Sequence, residues 1–252
     1  MKKLIVSILT VYCVTALYGQ QRTFLPNPAD QQCQQWVNQT LSGMPLKDQV
    51  GQLFVYSVEA NNTSSNKKAI SKMFKKVAPG GILFTKGTLS GQANLTNYLQ
   101  SISAIPMLIT FNGEWGVAAQ FPKTPDFPKN SALGCIEDDH LIEAYGREVA
   151  RELRELGVHI NFAPVADIKR NPNNPSINTR AFGAEARYVA DKVLAYSKGL
   201  QTGGILPVLK HFPGQGDTKA DSDITMPIIP YPRAHLDTVE LYPFKQAIES
   251  GI

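Results

Sequence analysis

Cysteine is scarce in this chain of 252 residues: Cys13, Cys33 and Cys135 are all it has, beside four histidines and two tryptophans. A disulfide framework or a structural zinc site needs more Cys and His at closer spacing, so neither is indicated and no metal site is expected. Cys33 and Cys135 could pair after export, but nothing in their spacing demands it. A strong charge imbalance is also lacking. The 25 basic and 21 acidic residues give +4, and without Lys2 and Lys3, which read as part of a leader, the balance is 23 to 21, about +2. That gives no reason to expect nucleic acid or an anionic membrane as partner and suits a neutral or weakly charged substrate. Low-complexity tracts and obvious repeats are missing as well.

One long apolar run is present, at residues 4–18. It follows Lys2 and Lys3, carries no charge, and ends at Gly19, Gln20 and Gln21. It is short for a membrane span and has the parts of a cleaved export signal over 1–20. Tyr12 is bulky where a lipoprotein signal carries a small residue, so Cys13 is not read as a lipid site. The expectation is an exported protein, periplasmic or extracellular, with no membrane span after cleavage.

From residue 28 to 252 the hydrophobic pattern alternates between two periods. Helices are expected over 28–44, 64–77, 92–102, 138–156, 186–201 and 235–250. Strands are expected over 50–56, 80–85, 106–111, 158–162 and 205–210. The 138–156 helix is the clearest, with a capping aspartate, an apolar stripe of Ile142, Tyr145, Val149, Leu153 and Leu156, and Gly157 as its stop.

Five strands, each followed by a helix, argue for parallel βα units, closed either as an open doubly wound sheet or as an eight-stranded barrel. No G-x-G-x-x-G turn follows the first strand. Polar residues instead follow several different strands: Lys86, then Asn112 and Glu114, then Asp167, then Lys210 and His211. A barrel gathers such positions on one rim. The expected fold class is therefore α/β, a (β/α)8 TIM-type barrel, truncated here after about five βα units and the following helix.

The densest polar run is Lys210-His211-Phe212-Pro213-Gly214-Gln215-Gly216-Asp217-Thr218, continuing to Asp221-Ser222-Asp223. A fixed cation and an imidazole at a strand end suit sugar hydroxyls, and two carboxylates follow on a loop that Gly and Pro allow to move. The same run also reads as a solvated turn whose aspartates cap the next element. Glu114 and Trp115 could form a sugar platform or merely pack under the rim. His140, His159 and His235 read as structural or exposed.

The 210–218 run resembles the K-H-F-P-G-H-G-D-T motif of the β-N-acetylhexosaminidase branch of glycoside hydrolase family 3, and Asp221-Ser222-Asp223 sits where that family has D-S-H. Asn161-Phe162-Ala163-Pro164-Val165-Ala166-Asp167-Ile168 resembles its N-F-A-P-V-x-D-V stretch, Thr179-Arg180-Ala181-Phe182-Gly183 its R-S-F-G, and Gly80-Gly81-Ile82 its second-strand opening. Leu241-Tyr242-Pro243-Phe244-Lys245-Gln246-Ala247-Ile248 resembles the helix before its sixth strand. The resemblance covers roughly 40–252.

It implies a retaining glycosidase, exported on the reading of 1–20, that removes terminal N-acetylglucosamine from cell-wall or glycan saccharides, with no cofactor. An aspartate attacks the anomeric carbon, and a histidine oriented by a carboxylate protonates the leaving oxygen and later recovers the proton. Lys210, His211 and Arg180 fall at the family's sugar-binding positions, and Asp221 and Asp223 on its acid/base loop. The nucleophile lies near the family's seventh strand, and no residue of this chain is assigned that role. Four positions depart from the pattern: Asp223 replaces the donor histidine, Gln215 a motif histidine, Asn112 the third-strand acid and Gln120 a substrate-contacting arginine. Asn112 and Gln120 are kept as substrate-binding candidates, since an amide still bonds a hydroxyl without the reinforcement of charge. Three readings stay open: a glycosidase, a catalytically degenerate sugar-binding barrel, and an inactive fragment.

Overall fold

The computed structural model describes residues 30–252. The expected signal at 1–20 lies outside the described residues. The described residues fall into two units, divided between Gly43 and Met44. In the first, helix α1 (Gln31–Ser42) is capped by Asp30, whose side chain accepts from the Gln32 amide.

The second unit holds five parallel strands: β1 (Val55–Ala60), β2 (Gly81–Gly87), β3 (Leu108–Phe111), β4 (Ile160–Asn161) and β5 (Leu206–Pro207). They lie in the order β1-β2-β3-β4-β5. This order separates the two closures considered above. Each crossover advances the sheet by one strand in the same direction, and crossovers of one hand then keep the helices on one face, as in a barrel wall. A doubly wound sheet reverses direction and covers both faces. Among the described residues the sheet is not closed, and β1 and β5 are its two edges.

The expected strand at 50–56 lies too early. Residues 46–51 instead form the short helix α2 (Leu46–Gly51) behind Pro45, and β1 starts at Val55. A short apolar run has no period of its own to choose between helix and strand. Helices α3 (Ser64–Phe74) and α4 (Leu89–Ile102) follow β1 and β2, and α5 (Asn130–Leu133) precedes α6 (Asp139–Glu155). Asp138 caps α6 through the His140 amide, and Gly157 after its end has φ +70°, a conformation costly to residues with a Cβ. Helix α7 (Ala186–Thr202) follows β4. The single helix expected at 235–250 is two, α8 (Arg233–Thr238) and α9 (Tyr242–Glu249). Val239 leaves helical geometry at φ −120°, ψ −82°, and Pro243, which has no amide hydrogen, sits in the first turn of α9.

The core lies between the sheet and these helices. Val58, Ile82, Phe84, Ile109 and Phe111 from the strands meet Leu95, Leu99, Val149, Leu153 and Val193 from the helices. Helices α6 and α7 approach most closely at two glycines. A Cβ on Gly146 would stand 2.5 Å from the Tyr196 carbonyl oxygen, and one on Gly199 would stand 2.2 Å from that of Glu143. Among the described residues no helix is long and apolar enough to cross a membrane.

Candidate active site

The loop after β3 carries Asn112, Gly113 and Glu114, and buried side chains grip its backbone. Asn161 of β4 accepts from the Gly113 amide at 2.8 Å and donates to its carbonyl at 3.0 Å. Tyr145 of α6 and Tyr196 of α7 stack on each other and both donate to the Glu114 carbonyl, at 3.1 and 3.3 Å. The glycine contact between α6 and α7 therefore helps position this loop.

Glu114, 4% exposed, is the hub. Its Oε1 lies 2.6 Å from Arg180 Nη2 and 2.6 Å from Lys210 Nζ, and its Oε2 accepts from Arg180 Nε at 2.9 Å. Burial pushes this carboxyl upward, but the bonds and charges of Arg180 and Lys210 overcome that and hold it below the ordinary carboxylate value. Burial lowers the Lys210 ammonium, with Arg180 adding to the effect against the opposing pull of Glu114. For Arg180 burial lowers and Glu114 raises, with a net upward result. Lys210 also donates to the Asn112 side-chain oxygen.

The Arg180 side continues to His211. Arg180 Nη2 stands 3.2 Å from His211 Nε2, and His211 Nδ1 stands 2.6 Å from Asp167 Oδ2. A guanidinium only donates, so Nε2 is the acceptor and the ring proton sits on Nδ1, bonded to Asp167. The fully buried Asp167 side chain accepts from the Gln215 amide at 2.6 Å through its other oxygen. Both carboxylate oxygens are thus occupied. Arg180 is placed by a loop organised around Asn174, which accepts from the Ser176 and Ile177 amides and donates to the Gln215 and Thr218 carbonyls. One amide thereby joins the loop after β4 to the loop after β5.

Above the buried Glu114 and Asp167, a cavity of about 370 Å³ is lined in part by Ser176, Gln215 and Ser222, within the usual range of small-molecule pockets, roughly 300–1,000 Å³. Asn112, Arg180, Lys210, His211, Asp221 and Asp223 all reach it. Gln120 is not among the lining residues, because its amide is turned to the Asn112 carbonyl at 3.3 Å. Lys86, at the C-terminal end of β2, does not line the cavity and pairs with Glu59 at 3.0 Å on an exposed strand end. Trp115 is also absent from the lining and lies beneath Lys129 Nζ, 5.0 Å from the ring centre. Neither Glu114 nor Trp115 lines the cavity, so the platform reading gives way to packing under the rim, where Glu114 serves as an ionic hub. Asn174 and Ser176 are the site residues that sequence reasoning misses, while Asp167 and Gln215 are named there without a binding or catalytic role. A polar residue three positions beyond a barrel strand is the signal for Glu114, whereas Asn174 lies unmarked in an Asn/Pro loop.

Cys33 and Cys135 are both free. His159 accepts the Ile109 amide through Nδ1 at 2.9 Å, a structural role. Among the described residues no three His, Cys, Asp or Glu side chains converge as a metal cage would require.

Residues 45–252 match the family model described as glycosyl hydrolase family 3 N terminal domain. The chain belongs to that family. It is 33% identical over 184 residues to beta-hexosaminidase A of Pseudoalteromonas piscicida, covering 68% of this chain and 31% of that protein. It is 31% identical over 189 residues to a beta-N-acetylglucosaminidase/beta-glucosidase of Cellulomonas fimi, covering 75% and 33%. A solved glycoside hydrolase family 3 beta-N-acetylglucosaminidase from Paenibacillus sp. superposes with a TM-score of 0.74 at 34% identity, over 83% of this chain and 41% of that one. The chain therefore spans about a third of the length of these two curated relatives. The family's N-terminal domain is a TIM-type barrel, so the one-directional five-stranded sheet is part of such a wall.

Proposed function

We propose that this chain supplies the sugar-binding wall and acid/base loop of an exported retaining β-N-acetylhexosaminidase that removes terminal N-acetylglucosamine from cell-wall or glycan saccharides. The observation that carries this reading is the cavity in which Lys210, Arg180 and His211 stand opposite the loop bearing Asp221 and Asp223. Lys210 has three N–H donors, of which Glu114 and Asn112 take two, and the third is assigned to a sugar hydroxyl. Export is proposed from the leader-like 1–20 pattern, and the substrate from the similarity to a beta-hexosaminidase and a beta-N-acetylglucosaminidase.

In this mechanism Asp223 occupies the proton-donor position, passing a proton to the leaving oxygen and taking one from the incoming water. His211 does not take that part, since its Nε2 faces a donor and its proton is held by Asp167. Asp167 is not assigned as the nucleophile, because it is buried and is not among the residues that line the cavity. The attacking carboxylate is assigned to no residue between 30 and 252.

One observation favours the second reading, a degenerate sugar-binding barrel. The Asp221 carboxylate caps the Asp223 backbone amide at 3.0 Å instead of orienting a side-chain donor. Hydrolysis of an aryl β-N-acetylglucosaminide by the natural protein, compared with Asp223→His, separates the two. Wild-type turnover establishes the glycosidase, and turnover that appears only in the histidine variant establishes the degenerate barrel.

A further inference from the structure

The acid/base loop is attached to the barrel by very little. Within 221–225 the bonds are local: Asp221 accepts from the amides of Asp223, Ile224 and Thr225. Ile224, Met226 and Ile228 are 77–85% exposed and pack against little. Among the described residues, one side-chain hydrogen bond joins 221–228 to the rest of the fold, from Ser222 Oγ to Gln215 Oε1 at 3.2 Å.

Gln215 is built to hold that bond. It is 6% exposed, and every polar group it has is engaged. Its backbone amide donates to Asp167 at 2.6 Å, and its carbonyl accepts from Asn174 at 2.7 Å. Its side-chain nitrogen donates to Ser176 Oγ at 3.2 Å. An amide side chain has one donating and one accepting end. With the nitrogen committed to Ser176, the oxygen is left to receive a hydroxyl from the loop. Gly216 next to it lies so close to Ile168 that a Cβ would stand 1.9 Å from the carbonyl oxygen, which leaves this turn little room to shift.

We infer that Gln215 is the positioning residue for the Asp221-Ser222-Asp223 loop, acting through Ser222 to hold Asp223 over the cavity that Arg180 and Lys210 line. This rests on the reading of 221–223 as the acid/base loop. Gln215 touches no reacting atom in this scheme. It sets how often the loop occupies the geometry from which Asp223 acts.

The test is amide hydrogen exchange across 219–228 in the full protein for wild type, Ser222→Ala, Gln215→Leu and the double variant. Each single change raises exchange at Asp223, Ile224 and Thr225 roughly five-fold, the effect of losing one net hydrogen bond. The double variant rises no further, because both changes remove the same link. Exchange in α6 and α7 stays at the wild-type rate. Ser222 is exposed, so its variant folds even if Gln215→Leu does not. Unchanged loop exchange in Ser222→Ala overturns the inference. With an aryl β-N-acetylglucosaminide, both single variants lower kcat while KM stays within about two-fold. Faster loop exchange with kcat unaltered keeps the latch and instead overturns the acid/base reading of the loop.

Discussion

The Glu114 carboxylate holds the Arg180 guanidinium at two points, 2.6 and 2.9 Å, in a nearly closed environment. Such a bidentate pair is directional as well as strong, and it aims Arg180 at the cavity. Lys210 shares the same carboxylate, so one buried anion lets two cations occupy one wall. Removing the anion leaves both cations poorly compensated. Glu114→Gln is therefore expected to cost about 3–5 kcal/mol in urea-induced unfolding, far more than an exposed ion pair. A loss below about 1 kcal/mol would show that the hub is not structural.

The same residue sets a pH dependence. The folded Glu114 carboxyl lies below its ordinary value of 4.5, so in that interval the unfolded chain binds more protons. Its stabilisation is present above 4.5 and is lost as pH falls through the folded value. Lys210 is also depressed when folded, so on its account stability rises as pH climbs from the folded value towards 10.5. Thermal unfolding between pH 3 and 6 should show a steeper acid decline in wild type than in Glu114→Gln. Parallel curves would contradict the assignment.

His211 is predicted to be the Nδ1–H tautomer. The imidazole ¹⁵N resonances of labelled protein at neutral pH should show an unprotonated Nε2, and Asp167→Asn should disturb that pattern. A proton found on Nε2 would mean that Arg180 does not face the ring in solution.

Arg180→Ala and Lys210→Ala each remove a charged donor from the cavity. Binding of N-acetylglucosamine, measured by calorimetry, should weaken roughly ten- to a hundred-fold in each, as expected for a hydrogen bond from an ionised group. Gln120→Ala should bind as wild type does, since its amide points at the Asn112 carbonyl. If Gln120→Ala alone weakens binding, the sugar sits elsewhere.

Helix α6 should not tolerate a methyl group where it meets α7. Gly146→Ala places a Cβ 2.5 Å from the Tyr196 carbonyl oxygen, and overpacking of this kind costs about 1–3 kcal/mol. Because Tyr145 and Tyr196 both hold the Glu114 carbonyl, the variant should also weaken sugar binding. Normal affinity in a destabilised Gly146→Ala would separate the packing from the site.

Local chemistry was enough to determine much of this protein. The 3.6-residue stripe and cap of α6 lie in adjacent residues, and so do the motif 210–218 and the polar positions after the strands. Where a run is short and has no clear period, as at 50–56, the pattern does not fix the boundary, and the folded chain ends a helix at Gly51 and starts β1 only at Val55. The site divides in the same way. Lys210, His211, Arg180, Asp221 and Asp223 were legible because each stands in a recognisable stretch. Glu114 meets Arg180 across 66 residues and Asp167 meets His211 across 44, and no local pattern encodes such distances. The directions of Gln120 and Gln215 were equally out of reach. An amide's function depends on which partner takes its oxygen and which its nitrogen, and only the folded chain brings those partners together.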